Sequence, residues 1–257
     1  MPTFALQPAS HDEDLLDAPR RGRLLTLAHL NTRGIDGMTV RGRRWDRAGK
    51  PWDLFPFLDS CQATAAKAGD LWTLLICSGD AENFTSEEHL REWESLIAEL
   101  GRRYANDPSL WGVHLTGCSP FRVSEERHHK IAPTIEAADK RLILAWAKAF
   151  PRQKLLFAIG LPDVAGMKRL IKYLVEIAPG RAVVKSNAMK SSTNIGAPHN
   201  QLIVWAAKNG AEIGFEMARA DSNWSRVRAN IKAIEQQAGK KIVYLAPYPP
   251  DLGRVGA

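Results

Sequence analysis

Short runs of leucine and β-branched residues alternate along this chain with longer stretches in which apolar side chains recur every three or four positions. The first pattern suits buried strands, the second amphipathic helices. The runs are RLLTLAHL (23–30), GMTVRGR (37–43), LWTLLIC (71–77), WGVHLTG (111–117), KLLFAIG (154–160), AVVKSNA (182–188), AEIGFEM (211–217) and KIVYLAP (241–247). Helices are predicted between them at 53–69, 86–107, 134–150, 163–180, 200–210 and 222–239. Their polar starts and glycine stops fall where helix ends need them, as at Ser86 and Gly69. Residues 1–22 show no period and read as an extended N-terminal arm.

Strands that alternate with helices imply a parallel sheet joined by right-handed crossovers. Eight strands between residues 23 and 257 predict a single (β/α)8 TIM barrel, class α/β. The stretch from Asn31 to Asp36 is too short for a helix, and little chain follows the last strand. Reduced outer helices are therefore expected after strands 1 and 8. No GxGxxG follows the first strand, which argues against a dinucleotide fold.

In such a barrel the chemistry gathers at the C-terminal ends of the strands, and alternate residues point inward. In the seventh run Ile213, Phe215 and Met217 suit the helix layer, so Gly214 and Glu216 face the interior, with Glu216 at the mouth. A carboxylate there is costly unless paired, hydrogen-bonded or functional. The competing reading makes it half of a buried ion pair with a strand-2 arginine. In the fourth run Trp111, Val113 and Leu115 are expected outside, with His114 and Thr116 inside. His29 and Asn31 share the inward face of the first run, and Val183, Lys185 and Asn187 share one face of the sixth. The segment after strand 4, GCSPFRVSEERHHK (117–130), supplies further carboxylates at Glu125 and Glu126. Two carboxyl groups converging across a barrel mouth suit glycoside cleavage: one protonates the leaving oxygen, and the other attacks or activates water.

These residues carry a resemblance. The segment Gly37-Met38-Thr39-Val40-Arg41, then Trp45, Trp52-Asp53 through Leu58-Asp59 and Ala65-Ala66-Lys67-Ala68-Gly69, resembles the opening of catalytic domains in the clan of retaining glycoside hydrolases with β-galactosidase-like and cellulase-like members. Tyr104-Ala105-Asn106-Asp107-Pro108 leading into Trp111-Gly112-Val113-His114-Leu115-Thr116-Gly117 is similar to the clan's join into strand 4. The resemblance is to poorly characterised members and runs from about Arg23 onward. It implies a two-carboxylate hydrolase that cleaves O-glycosidic bonds with retention, acts on a carbohydrate and needs no cofactor. It implies Glu216 as nucleophile and Glu126 as general acid/base, with Glu125 as the alternative. The usual Asn-Glu pair does not end strand 4, and Glu126 lies nine residues past Gly117.

Supporting roles follow from chemistry. A cation beside Glu216 keeps it ionised, and Arg41 is the first choice, Arg43 the second. Asn187 can bond a sugar hydroxyl, His29, Asn31 and His114 suit the floor, and Trp45 and Trp224 can stack on sugar rings. Two alternatives stand beside this reading. Lys185, in VVKSN, is placed where class I aldolases of this fold carry a Schiff-base lysine. A non-catalytic carbohydrate-binding barrel is the other.

Composition narrows the field further. The chain has 257 residues, 45% hydrophobic and 25% charged, with 35 Lys+Arg against 28 Asp+Glu, a net charge of +7. The dense basic clusters, Arg20-Arg21-Gly22-Arg23 and Arg41-Gly42-Arg43-Arg44, are short and the other cations scattered, so a nucleic-acid partner is not expected. No apolar run is long enough for a membrane span, and no signal-peptide pattern opens the chain. Cys61, Cys77 and Cys118 form no CxxC pair, which fits reduced thiols and a cytoplasmic setting. Side chains of the adjacent His128 and His129 diverge, and no HExxH motif is present, so no metal site is predicted.

Overall fold

A computed structural model describes residues 1–2, 4–6, 36–43, 55–77, 85–116, 133–159, 163–217 and 221–247. Eight parallel strands follow one another in chain order around the sheet: β1 (Phe4–Leu6), β2 (Gly37–Arg43), β3 (Leu71–Cys77), β4 (Leu110–His114), β5 (Lys154–Ile159), β6 (Ala182–Met189), β7 (Glu212–Met217) and β8 (Tyr244–Ala246). β8 comes round to β1, where Leu245 N–H donates to Pro2 O at 3.4 Å, so the ring is nearly closed. This is a TIM-type barrel. Six described helices clothe it: α1 (Phe55–Ala68), α2 (Glu87–Tyr104), α3 (Pro133–Ala149), α4 (Val164–Ile177), α5 (Pro198–Lys208) and α6 (Trp224–Ala238). None of the described helices is long and apolar enough to cross a membrane.

Local sequence explains the helix ends. Ser86, Asp163 and Asn223 each accept a backbone N–H in the first turn of α2, α4 and α6, satisfying donors that the helix cannot. α2 buries Leu90, Trp93, Ile97, Leu100 and Tyr104, a stripe at three- and four-residue spacing. It carries Glu87 and Glu88 in its first turn and Arg102 and Arg103 in its last, which complements the helix dipole. Gly101 lets α2 approach α3 closely: a Cβ there would stand 2.7 Å from the Ala149 carbonyl oxygen.

The sheet separates two apolar layers. Outward-facing Leu74, Val113, Phe157, Val184 and Phe215 join the helices in the larger core. Inside the barrel Phe4, Leu156, Val183, Tyr244 and Ala246 form a second cluster, with Trp111 packed against it. Phe4 lies 5.3 Å from both Trp111 and Tyr244 by ring centroid, and Trp111 stacks on Tyr244 at 5.9 Å. The interior is therefore a packed core under the mouth, not a pore.

Two expectations are corrected. The first strand is Phe4–Leu6, inside the segment read as an arm, and Phe4 is fully buried against Trp111 and Tyr244. Three residues are too few to show a period. The run 23–30 lies outside the described residues, as do 248–257, so the expected shortening of the outer helices after strands 1 and 8 lies there too. The second correction is Trp111, expected to face the helices. The pairing of β3 with β4 shifts between Trp72 and Thr73, which face Leu110 and Gly112, so Trp111 is an extra residue. The bulge turns its ring into the barrel while Leu110 and Val113 stay in the outer layer.

Candidate active site

Alternation along β7 puts Ile213, Phe215 and Met217 in the outer core, which leaves Gly214 and Glu216 on the inner face. Gly214 is required there because a Cβ would sit 2.8 Å from Tyr244 Cβ on the neighbouring strand. Glu216 is the next-to-last residue of β7 and is 2% exposed. On β6 the inward residues are Val183, Lys185 and Asn187, as their shared face predicts. Lys185 pairs in register with Gly214, two residues below Glu216, so its long side chain climbs about 7 Å toward the mouth. There its ammonium forms a buried ion pair with Glu216 Oε2 and donates to Asn187 Oδ1 at 2.7 Å. Lys185 is 1% exposed, and Asn187 is half-buried.

Beneath the pair a chain of hydroxyl groups crosses the barrel. Tyr244 OH and Thr39 Oγ1 are 3.0 Å apart, Thr73 Oγ1 donates to Thr39 Oγ1 at 2.9 Å, and His114 Nε2 lies 3.4 Å from Thr73 Oγ1. The Tyr244 ring faces His114 edge-on at 5.8 Å and has the Lys185 ammonium 6.0 Å from its centroid. The barrel floor is thus polar on one side and apolar on the other. Buried polar groups in such a network are costly unless they bond one another.

The residues after β6 are held in one shape. Asp221 accepts from Ser191 N–H at 2.7 Å and from Asn223 N–H at 2.9 Å. Asn230, buried on α6, donates to Lys190 O and Ser191 O at 3.1 Å each, and Asn200 donates to Asn194 O at 2.6 Å. These straps were not anticipated. The signal for them was asparagine at buried-face positions of α5 and α6, where apolar residues are the rule.

The structure sorts the expected site residues. It brings Glu216 and Asn187 together through Lys185. The described cation beside Glu216 is Lys185, a partner the sequence reading did not name; the side chains of Arg41 and Arg43, expected in that role, lie outside the described residues. His114 is a floor residue, 2% exposed and bonded within the hydroxyl chain, so a direct substrate contact is replaced by a supporting place. Trp224 opens α6 at 4% exposure within the core between helices and sheet, so a sugar-stacking role is withdrawn. Lys185 Nζ is engaged with Glu216 and Asn187, so a Schiff-base role would require it to leave both acceptors and give up a proton. His29, Asn31, Trp45, Glu125 and Glu126 lie outside the described residues. Among the described residues no group of His, Cys, Asp or Glu is placed to hold a metal ion.

No family model matches the chain, and no curated protein matches it. Solved structures do. The chain is similar to the catalytic domain of an endoglucanase from Thermobifida fusca, with a TM-score of 0.61 at 9% identity, covering 97% of this chain and 78% of that one. It is similar to an intracellular xylanase from Thermoanaerobacterium saccharolyticum, with a TM-score of 0.57 at 11% identity, covering 96% and 85%. The shared feature is the fold, a TIM-type barrel of parallel strands and outer helices. The endoglucanase has also been solved with cellotetraose, and the xylanase with xylotriose. At such identities the likeness to these hydrolases establishes the barrel and its topology and leaves the chemistry to the residues of the site.

Proposed function

We propose that this barrel cleaves O-glycosidic bonds of an oligo- or polysaccharide by a retaining, two-carboxylate mechanism. One observation carries the proposal: a carboxylate at the mouth end of β7, directed into the barrel and held beside a cation. Glu216 is the nucleophile. Its Oε2 keeps the Lys185 ammonium while Oε1 attacks the anomeric carbon, and a glycosyl ester forms as the leaving oxygen departs. Glu126, or Glu125 in its place, gives that oxygen its proton and then deprotonates the water that hydrolyses the ester. Both proton transfer and the covalent intermediate come from side chains, so no cofactor enters.

A second reading, a carbohydrate-binding barrel without turnover, is favoured by the ion pair itself: an engaged and almost fully buried carboxylate is a poor nucleophile. One experiment separates the two. The wild-type chain and its Glu216→Gln and Glu126→Gln variants are assayed for release of reducing ends from β-glucan and xylan oligosaccharides. The hydrolase reading expects either variant to lose roughly 10²–10⁴-fold in rate while sugar affinity persists. Binding without turnover in the wild type supports the second reading. Undiminished hydrolysis by a variant removes that residue from the mechanism.

A further inference from the structure

Lysine carries three donors and no acceptor, so whatever meets its ammonium must offer an oxygen. Asn187 does so with Oδ1, at 2.7 Å from Lys185 Nζ. Because an amide is planar, this one bond also decides where its other end points: the NH₂ group is turned away from Lys185. Asn187 is two residues beyond Lys185 on the same inward face of β6, nearer the C-terminal end of the strand, and half-buried where Lys185 and Glu216 are closed off. Among the described residues its Nδ2 meets no acceptor. The same ammonium thus anchors the carboxylate and sets the orientation of the neighbouring donor.

We infer that Lys185 is a positioning residue that aims the Asn187 amide at the barrel mouth, where Asn187 Nδ2 donates to a hydroxyl oxygen of the sugar unit lying against Glu216. The inference rests on the carbohydrate reading of this site, though not on turnover. It specifies the ligand: a unit that presents a hydroxyl oxygen as acceptor beside the reacting carbon. A unit with hydrogen at that position leaves the amide donors without a partner and is selected against. It also gives a reason for burying a lysine at this point. An arginine fork or a hydrophobic residue would break the shared contact with Glu216 and Asn187.

A double-mutant cycle in a background without turnover tests the inference. Glu216→Gln removes the nucleophile but keeps an amide oxygen for Lys185. Glu216→Gln/Lys185→Met removes the orienting ammonium and leaves no lone buried charge, which favours folding. Asn187→Ala is introduced into each background, folding is checked by thermal melting, and cellotetraose and xylotriose are titrated calorimetrically. With Lys185 present, Asn187→Ala is expected to weaken binding of at least one probe by about tenfold. Without Lys185 it is expected to change affinity by less than about twofold, because the donor is no longer aimed. Equal losses in the two backgrounds, or no loss in either, overturn the inference. Failure of the Glu216→Gln chain to bind either probe at millimolar concentration also overturns it. Wild-type hydrolysis of the same probes is assayed separately, so loss of the hydrolase reading is distinguishable from loss of the positioning role.

Discussion

Lys185→Met tests the energetics of the site most sharply. Methionine keeps nearly the same unbranched length and fills the same space, so packing changes little while the cation disappears. What remains is Glu216, 2% exposed, with its Oε2 partner gone. Breaking a buried pair by removing one member costs about 3–5 kcal/mol, because the surviving charge is left in a poorly solvated site. For a chain of 257 residues that corresponds to a fall in melting temperature on the order of 10 °C. The loss depends on pH in a defined direction. Still buried but without the Lys185 ammonium, Glu216 is shifted toward its neutral acid, so its folded-state pKa in the variant moves up relative to the wild type. Relative to the wild type, Lys185→Met is therefore most stable at acid pH, and its deficit grows as the pH rises toward that raised value. Urea denaturation of wild type and variant between pH 5 and 8 measures the gap, which should widen with pH. Adding Glu216→Gln should close most of it. A loss below about 1 kcal/mol, or a gap that does not change with pH, would refute a buried ion pair at the heart of this barrel.

Other expectations follow from the same structure. Arg141 on α3 hydrogen-bonds Glu87 and Glu94 on α2, and with Arg91 it holds the Glu87 carboxyl down at about 2; Glu94 is also lowered, chiefly by Arg141. Both folded values lie below the unfolded carboxylate value of 4.5, so this contribution is complete above that pH and is lost as the pH falls toward 2. Arg141→Ala should lower the urea midpoint at pH 7 and have little effect near pH 2. Thr39→Val should destabilise by about 1–3 kcal/mol, since it takes a hydrogen-bond partner from both Thr73 and Tyr244; equal urea midpoints would contradict the hydroxyl chain. Gly101→Ala gains helix propensity, yet its methyl would stand 2.7 Å from Ala149 O, so a net loss of about 1–2 kcal/mol is expected. A more stable variant by thermal melting would show that α2 and α3 are not so close.

Most of the architecture was legible because strand and helix periods differ. GMTVRGR and LWTLLIC match β2 and β3 to the residue, and the predicted helices match α1 to α6 to within a few positions at each end. Alternation also gave the faces of β6 and β7, hence the inward Glu216. The failures have specific causes. β1 is three residues of ordinary sequence whose place is set by tertiary packing of Phe4, and RLLTLAHL looked the stronger strand. Trp111 was misplaced because a bulge depends on how two strands pair, which no single strand reveals. The Lys185–Glu216 pair needed the register of β6 against β7, which puts Lys185 beside Gly214 and its ammonium one layer higher. Arginine in strand 2 was the more obvious partner because its position in the barrel could be guessed from sequence order alone.

If Glu216 attacks the anomeric carbon, a slowed glycosyl ester should be trapped on it. Wild-type protein is incubated with activated 2-deoxy-2-fluoro glycosides of glucose and xylose, which slow hydrolysis of a glycosyl ester, and the digested chain is mapped by mass spectrometry. One added glycosyl group per chain is expected, carried by Glu216 and absent from Glu216→Gln. A glycosyl group on another residue, or hydrolysis of natural substrate by Glu216→Gln at the wild-type rate, would contradict it.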